Sequence, residues 1–99
     1  MSGRLSDAWL DELRSRSSLE EVVSEYVPLK QKGRRYWGCC PFHNEKTPSF
    51  SVSPEKGFFY CFGCHVGGNI FKFISMIENL SYFDAVKLQA ERLGIELPH

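Results

Sequence analysis

The residues able to do chemistry are concentrated in two short stretches, "CPFH" at 40–43 and "CFGC" at 61–64. Cys40 and His43 are separated by two residues, Cys61 and Cys64 by two, and the two pairs by 17, a C-x2-H-x17-C-x2-C pattern. Two residues between donors let one tight turn aim both at a single ion, and two such turns complete a tetrahedron. Pro41 fixes φ just after the first donor, and Gly63 tolerates unusual backbone angles just before the fourth. Three thiolates and one imidazole favour Zn2+, one ion per chain. Four protein ligands leave no position for water, so the predicted site is structural, and the ion would contribute on the order of 10 kcal/mol to folding.

Other groups compete for these roles. Cys39 could pair with His43 at C-x3-H spacing, but a small half-buried strand residue is the simpler assignment. His65 could replace His43, although adjacent residues such as Cys64 and His65 point apart and rarely chelate one ion. The stretch "FFYCFGCHVGG" also places C-x-x-C between a strand and a helix, as a dithiol oxidoreductase would. That assignment ignores Cys40 and His43 and needs βαβ units where this chain supplies hairpins followed by helices. A Cys40–His43 nucleophilic pair lacks a group to orient the base.

The elements that must hold these donors follow from the rest of the chain. At 99 residues, there is room for a single domain with a modest core, which a metal staple would help. No stretch approaches the ~18 apolar residues of a membrane span, and "MSGRLSDAWLDELRSR" lacks the apolar centre of a signal peptide. A cytoplasmic location is therefore expected, where thiols serve as ligands more often than as disulfides.

Ser6 can cap a helix through "DAWLDELRSR". Ser18-x-x-Glu21 has capping-box spacing ahead of Leu19, Val22, Val23 and Tyr26, and Pro28 ends that helix. From Val27 to Phe62 the chain changes to β-type runs, "VPLKQ", "RYWGCC", "SFSVS" and "FFYCF", broken by the turn signals "KGR" and "PEKG". Two hairpins are expected, with the cysteines at strand ends and turns. Asn69 can cap a helix bearing Ile70, Phe73, Ile74 and Ile77, and Ser81-x-x-Asp84 another bearing Phe83, Val86, Ala90 and Leu93, closed by Gly94. The predicted fold class is α+β. A small zinc-ribbon domain fills residues 1–99: helices in 1–26, an antiparallel sheet of short strands in 27–68, helices in 69–94, and in 95–99 an ending that buries little and begins a linker.

Net charge is zero, but residues 27–61 hold Lys30, Lys32, Arg34, Arg35, Lys46 and Lys56 against Glu45 and Glu55 alone. The positive charge therefore surrounds the cysteines. Aromatics alternate with these cations: Arg34 and Tyr36 on one side of a strand, Arg35 and Trp37 on the other, with Phe50 and Val52 sharing a face, as do Phe58, Tyr60 and Phe62. Rings beside cations suit single-stranded nucleic acid, whose bases stack at about 1 to 3 kcal/mol each. A period of two also gives each strand a core face, which claims about half of these rings without saying which half.

The segment "VPLKQKGRRYWGCCPFHNEKTPSFSVSPEKGFFYCFGCHVGGNIFKFI" resembles the N-terminal zinc-binding domain of bacterial DNA primases, the DnaG family, and the likeness runs essentially the whole chain. The family's "CPFHxEKTPSFxV" stands here as "CPFHNEKTPSFSV" and its "CFGCGxGGN" as "CFGCHVGGN", with His65 where glycine is usual. The resemblance implies that Cys40, His43, Cys61 and Cys64 are the zinc ligands. It makes Lys30, Arg34, Lys46, Tyr36, Phe50 and Tyr60 candidates for template contact, which Arg35 and Lys56 of the basic segment join. It further implies a part in recognising the initiation site for RNA primer synthesis on single-stranded DNA. The partners it implies are the primase catalytic domain and, through the full-length protein, the replicative helicase. Mg2+ chemistry is expected only in that catalytic domain, because Asp7, Asp11 and Asp84 form no D-x-D pair here. This chain by itself is not expected to be catalytic. Protein contact by the same ribbon is the alternative use.

Overall fold

Ser6 accepts a hydrogen bond from the Trp9 amide and so starts α1 (Asp7–Ser15), the first element of a computed structural model that describes residues 6–42 and 48–97. α2 (Leu19–Ser24) follows, with Ser18 at its N-cap. The expected capping box is not made, since the Ser18 side chain forms no cap bond. Burial of Leu19, Val22 and Val23 holds this short helix instead, as packing does for helices too short to persist alone. α3 (Ile70–Ile77) and α4 (Tyr82–Leu93) begin at the expected caps, with Asn69 Oδ1 accepting from the Lys72 amide and Ser81 Oγ from the Asp84 amide. Gly94 closes α4 at φ 70°, a left-handed geometry that glycine adopts without a Cβ penalty.

Between these helices runs a single antiparallel meander: β1 (Lys30–Lys32), β2 (Arg35–Gly38), β3 (Phe50–Ser53), β4 (Phe58–Cys61) and β5 (Gly67–Gly68), paired in chain order. The two expected hairpins are thus joined side by side through β2 and β3, with Tyr36 opposite Val52 and Gly38 opposite Phe50. The fifth strand carries no β-type side chain and was not foreseen. Gly67 is there because the chain lies against β4: a Cβ on it would sit 2.8 Å from Tyr60 Cδ1 and 2.9 Å from the Phe59 carbonyl oxygen, while one on Gly68 would meet the Lys72 side chain of α3 at 2.6 Å. Gly67→Ala is therefore expected to lower unfolding free energy by about 1–3 kcal/mol, through the shift needed to admit a methyl group. A urea midpoint unchanged from the parent would contradict this.

The helices cover one face of the sheet, α2 against β3 and α3 against β4 and β5, with α4 packed on α3. Phe50, Val52, Phe59 and Cys61 point into that layer and meet Leu13, Val23, Phe71, Phe73, Ile74 and Val86 in one core. Phe50, Phe59 and Phe73 lie within 5.4–6.1 Å of one another by ring centroid. Outside the core, the Tyr26 hydroxyl donates to Glu78 Oε2 at 2.6 Å and accepts from Arg92 at 2.9 Å, tying the ends of α2, α3 and α4. Ile95 and Leu97 also pack partly buried against the core. That corrects the expectation that this ending buries little: the amide of Ile95 returns to the Ala90 carbonyl at 2.9 Å and turns the chain back onto the helices.

Candidate metal centre and the open sheet face

Cys40 follows β2, Cys61 ends β4 and Cys64 lies in the turn beyond it, so the meander brings residues 24 positions apart to one end of the sheet. Their three Sγ atoms lie within 4.8 Å of one another, and Cys40 Sγ and Cys64 Sγ are 3.8 Å apart. Thiolates on a tetrahedral zinc ion at a Zn–S distance of about 2.3 Å stand about 3.8 Å apart, so this donor set fits that ion. Cys40 and Cys61 are buried and Cys64 is exposed. Cys39 is exposed and outside the cluster. His43 and Lys46 lie outside the described residues.

Backbone amides are turned toward the sulfurs. The Phe42 amide reaches Cys40 Sγ at 3.5 Å, and the Ser49 hydroxyl lies 3.8 Å from Cys61 Sγ. The turn itself is pinned by the Cys61 amide on the Val66 carbonyl and the His65 amide on the Cys61 carbonyl, both at 2.8 Å. On the other loop Phe42 acts as an anchor, its ring 5.6 Å from Phe73 and 6.1 Å from both Phe50 and Phe59. Sequence reasoning passed over Phe42. Its place between two expected donors was the available signal, since a large apolar residue inside a tight turn has to be covered by something.

Among the described residues no helix covers the opposite sheet face, and strand register says what it carries. Lys30 is opposite Trp37, Lys32 opposite Arg35, Trp37 opposite Ser51, and Ser51 opposite Tyr60. Residues directly opposite in an antiparallel pair share a face. Lys30, Arg35 and Tyr60 therefore come together on this open face, with Lys32, Trp37, Phe58 and Phe62 added to them. Phe58 and Phe62 are 40% and 52% exposed, unusual for phenylalanine away from an interface.

One expected contact is corrected: Phe50 is fully buried opposite Cys61 and belongs to the core. Tyr36, half-buried, is paired with Val52 on the helix-covered face and packs against the core. Arg34 sits in the β1–β2 turn with its guanidinium 3.4 Å from Glu55, an exposed pair worth less than about 1 kcal/mol. Lys56, in the β3–β4 turn, lines a cleft with Arg14, Ser15, Ser17 and Leu19 on the helical side, away from the open-face rings.

The family model for the CHC2 zinc finger matches residues 5–99. The chain belongs to the CHC2 zinc-finger family. It is 47% identical over 97 residues to a DNA primase of Geobacillus stearothermophilus and 46% identical over 98 residues to one of Pseudomonas aeruginosa, alignments that cover 98% and 99% of this chain. Those stretches are 16% and 15% of the two primases, so the chain spans about one-sixth of the curated relatives it matches. Among solved structures, a crystal structure of the Aquifex aeolicus primase comprising zinc-binding and RNA polymerase domains matches at TM-score 0.85 and 48% identity, over 90% of this chain and 22% of that one. The antiparallel sheet agrees with this family and not with the βαβ units a dithiol oxidoreductase would need. No helix among the described residues is long and apolar enough to cross a membrane.

In this CHC2 zinc finger the thiols differ in how readily they ionise. Burial, together with the neighbouring sulfurs of Cys61 and Cys64, pushes Cys40 up to about 12 despite the Phe42 amide. Burial also opposes the Cys61 thiolate, but the amides of Cys64 and Gly63 and the Ser49 hydroxyl outweigh it and bring Cys61 to about 7. The first proton to leave the pair thus leaves Cys61, and its charge then holds the proton on Cys40. Metal ligands must be deprotonated, so at pH 8 zinc uptake should release about one proton or more per ion, Cys40 contributing its own in full. At lower pH more of the donors carry protons and affinity should fall more steeply. Calorimetry in buffers of different ionisation enthalpy checks this, and proton release near zero at pH 8 would contradict it.

Proposed function

We propose that this chain is the zinc-binding module of a DNA primase, and that its open sheet face receives single-stranded template DNA and helps recognise where primer synthesis begins. Zinc held by Cys40, Cys61 and Cys64, with His43 as the fourth ligand, would lock the ends of β2 and β4 and so hold the face rigid. The ion's chemistry is structural. No reaction step passes through it.

One observation carries the nucleic-acid reading. Lys30, Lys32 and Arg35 share an uncovered sheet face with Trp37, Phe58, Tyr60 and Phe62, on the strands that lead into the cysteine cluster. Cations beside exposed rings meet the two needs of a single strand, phosphate neutralisation and base stacking, whereas a duplex hides its base faces. Phosphoryl transfer with Mg2+ is assigned to the remainder of such a primase, as are contacts to a replicative helicase. The polymerase domain in the Aquifex aeolicus structure supports that division.

Titration of the zinc-loaded chain against a fluorescent single-stranded oligonucleotide at several salt concentrations tests the reading. The logarithm of affinity should fall with the logarithm of salt at a slope of about −0.7 per phosphate contacted, and removing Lys30, Lys32 and Arg35 together should flatten it by about 2. A slope unaltered in that triple variant rejects the face. For the primase role, a longer protein carrying its polymerase domain should lose template-directed primer synthesis when residues 1–99 are deleted, and full retention would reject it.

A further inference from the structure

His65 adopts φ +63°, in the left-handed region where glycine costs nothing and where most other residues are strained. It directly follows Cys64, one of the three clustered thiols. The turn geometry alone therefore gives no reason for an imidazole there. What the imidazole touches does: His65 Nδ1 and the Tyr60 hydroxyl share a 3.0 Å hydrogen bond, with the ring centroids 6.3 Å apart. Tyr60 meets Phe62 edge-on at 5.0 Å, and Phe62 stacks on Trp37 at 5.9 Å and 22°. Four rings thus cross the open face in a continuous path, from β2 to the turn beyond β4. One end, Trp37 and Phe62, is largely apolar. The other, Tyr60 and His65, carries groups that donate and accept hydrogen bonds.

We propose that His65 is a positioning residue for nucleic-acid stacking: it holds the Tyr60 ring through its hydroxyl, so that this end of the path is ordered before a base arrives and can favour one base edge over another. The inference rests on the open face being the single-stranded DNA surface. A ring already fixed loses less freedom on binding, which strengthens the complex without any new contact. Stacking on Trp37 and Phe62 tolerates every base, so preference among bases is set at the Tyr60–His65 end.

The test compares the zinc-loaded parent with His65→Gly, Tyr60→Phe, the double variant and Trp37→Ala, each titrated with dT, dC and dA homopolymer oligonucleotides. His65→Gly should keep one zinc per chain and melt about 3 °C higher as backbone strain is relieved. It should bind about fivefold more weakly and lose much of the parent's preference among the three oligonucleotides. Tyr60→Phe keeps the ring but not the bond and should show the same loss. The double variant should be no worse than either single one, the non-additivity expected of two partners in one interaction. Parent-like affinity and preference in His65→Gly, with Trp37→Ala still weakened, would overturn the role of His65 and leave the face intact. A parent that binds none of the oligonucleotides would overturn the face and this role with it. Should His65→Gly lose zinc, Tyr60→Phe decides, and parent-like binding by that variant overturns the proposal.

Discussion

Cys61→Ser is expected to remove cooperative folding at 37 °C. Cys61 is fully buried, ends β4 opposite Phe50, and lies in both the core and the thiol cluster. Serine there replaces a thiolate ligand by a poor one and places a hydroxyl among phenylalanines, where a polar group without a good partner costs about 1–3 kcal/mol. Loss of the ion is the larger effect. A structural zinc contributes on the order of 10 kcal/mol, while a domain of this size has only about 5–15 kcal/mol of net stability. Circular dichroism should show a shallow, non-sigmoidal melt, elemental analysis should show less than one zinc per chain, and a strong chelator should reproduce both in the parent. Cys39→Ser, at an exposed position outside the cluster, should melt within a few degrees of the parent. A sigmoidal melt at parental temperature for Cys61→Ser would refute the metal centre as the staple of this fold.

Trp37→Ala should weaken single-stranded DNA binding by about five- to 150-fold, the range given by one stacked base at about 1–3 kcal/mol. Trp37 lies between Lys30 and Ser51 on the open face and stacks on Phe62, so its truncation removes one stacking surface and loosens the next. The neighbouring Tyr36→Ala should behave in the opposite way, lowering stability through lost packing against the core and leaving affinity within about twofold once the fold is intact. The pair forms an internal control, because the two residues are adjacent in sequence and on opposite faces of one strand. Equal binding by Trp37→Ala and the parent would remove the ring face from the proposal, whatever the fate of the zinc.

That contrast shows where sequence reasoning reached and where it stopped. The donor spacing, the caps at Ser6, Asn69 and Ser81, the Gly94 terminus and the strand runs are local features, determined by residues within a few positions of one another, and they are legible for that reason. The faces are not local. Alternation along "RYWG" says that Tyr36 and Trp37 point oppositely, but α2 and α3 decide which side is covered, and both lie outside the stretch of chain that sets the alternation. Sequence reasoning therefore puts Phe50 with the ligand face when it belongs to the core and gives no sign that Tyr36 faces the helices, while it leaves Trp37, Phe58 and Phe62 unassigned. The two-residue strand at Gly67–Gly68 is hidden for a related reason, since Gly67 answers to the closeness of β4 and Gly68 to the Lys72 side chain on α3, and neither to any β preference of its own.

By itself, then, the amino-acid order determined the donor spacing, the helix ends and the basic segment, because these are read from residues a few covalent positions apart. Tertiary structure alone decided that Cys40 meets Cys64 at 3.8 Å, that Phe42 anchors one turn in the core, and that three cations and four rings share an uncovered face. Those depend on which surfaces helix packing removes from water, a property of the folded whole that no neighbouring residues encode.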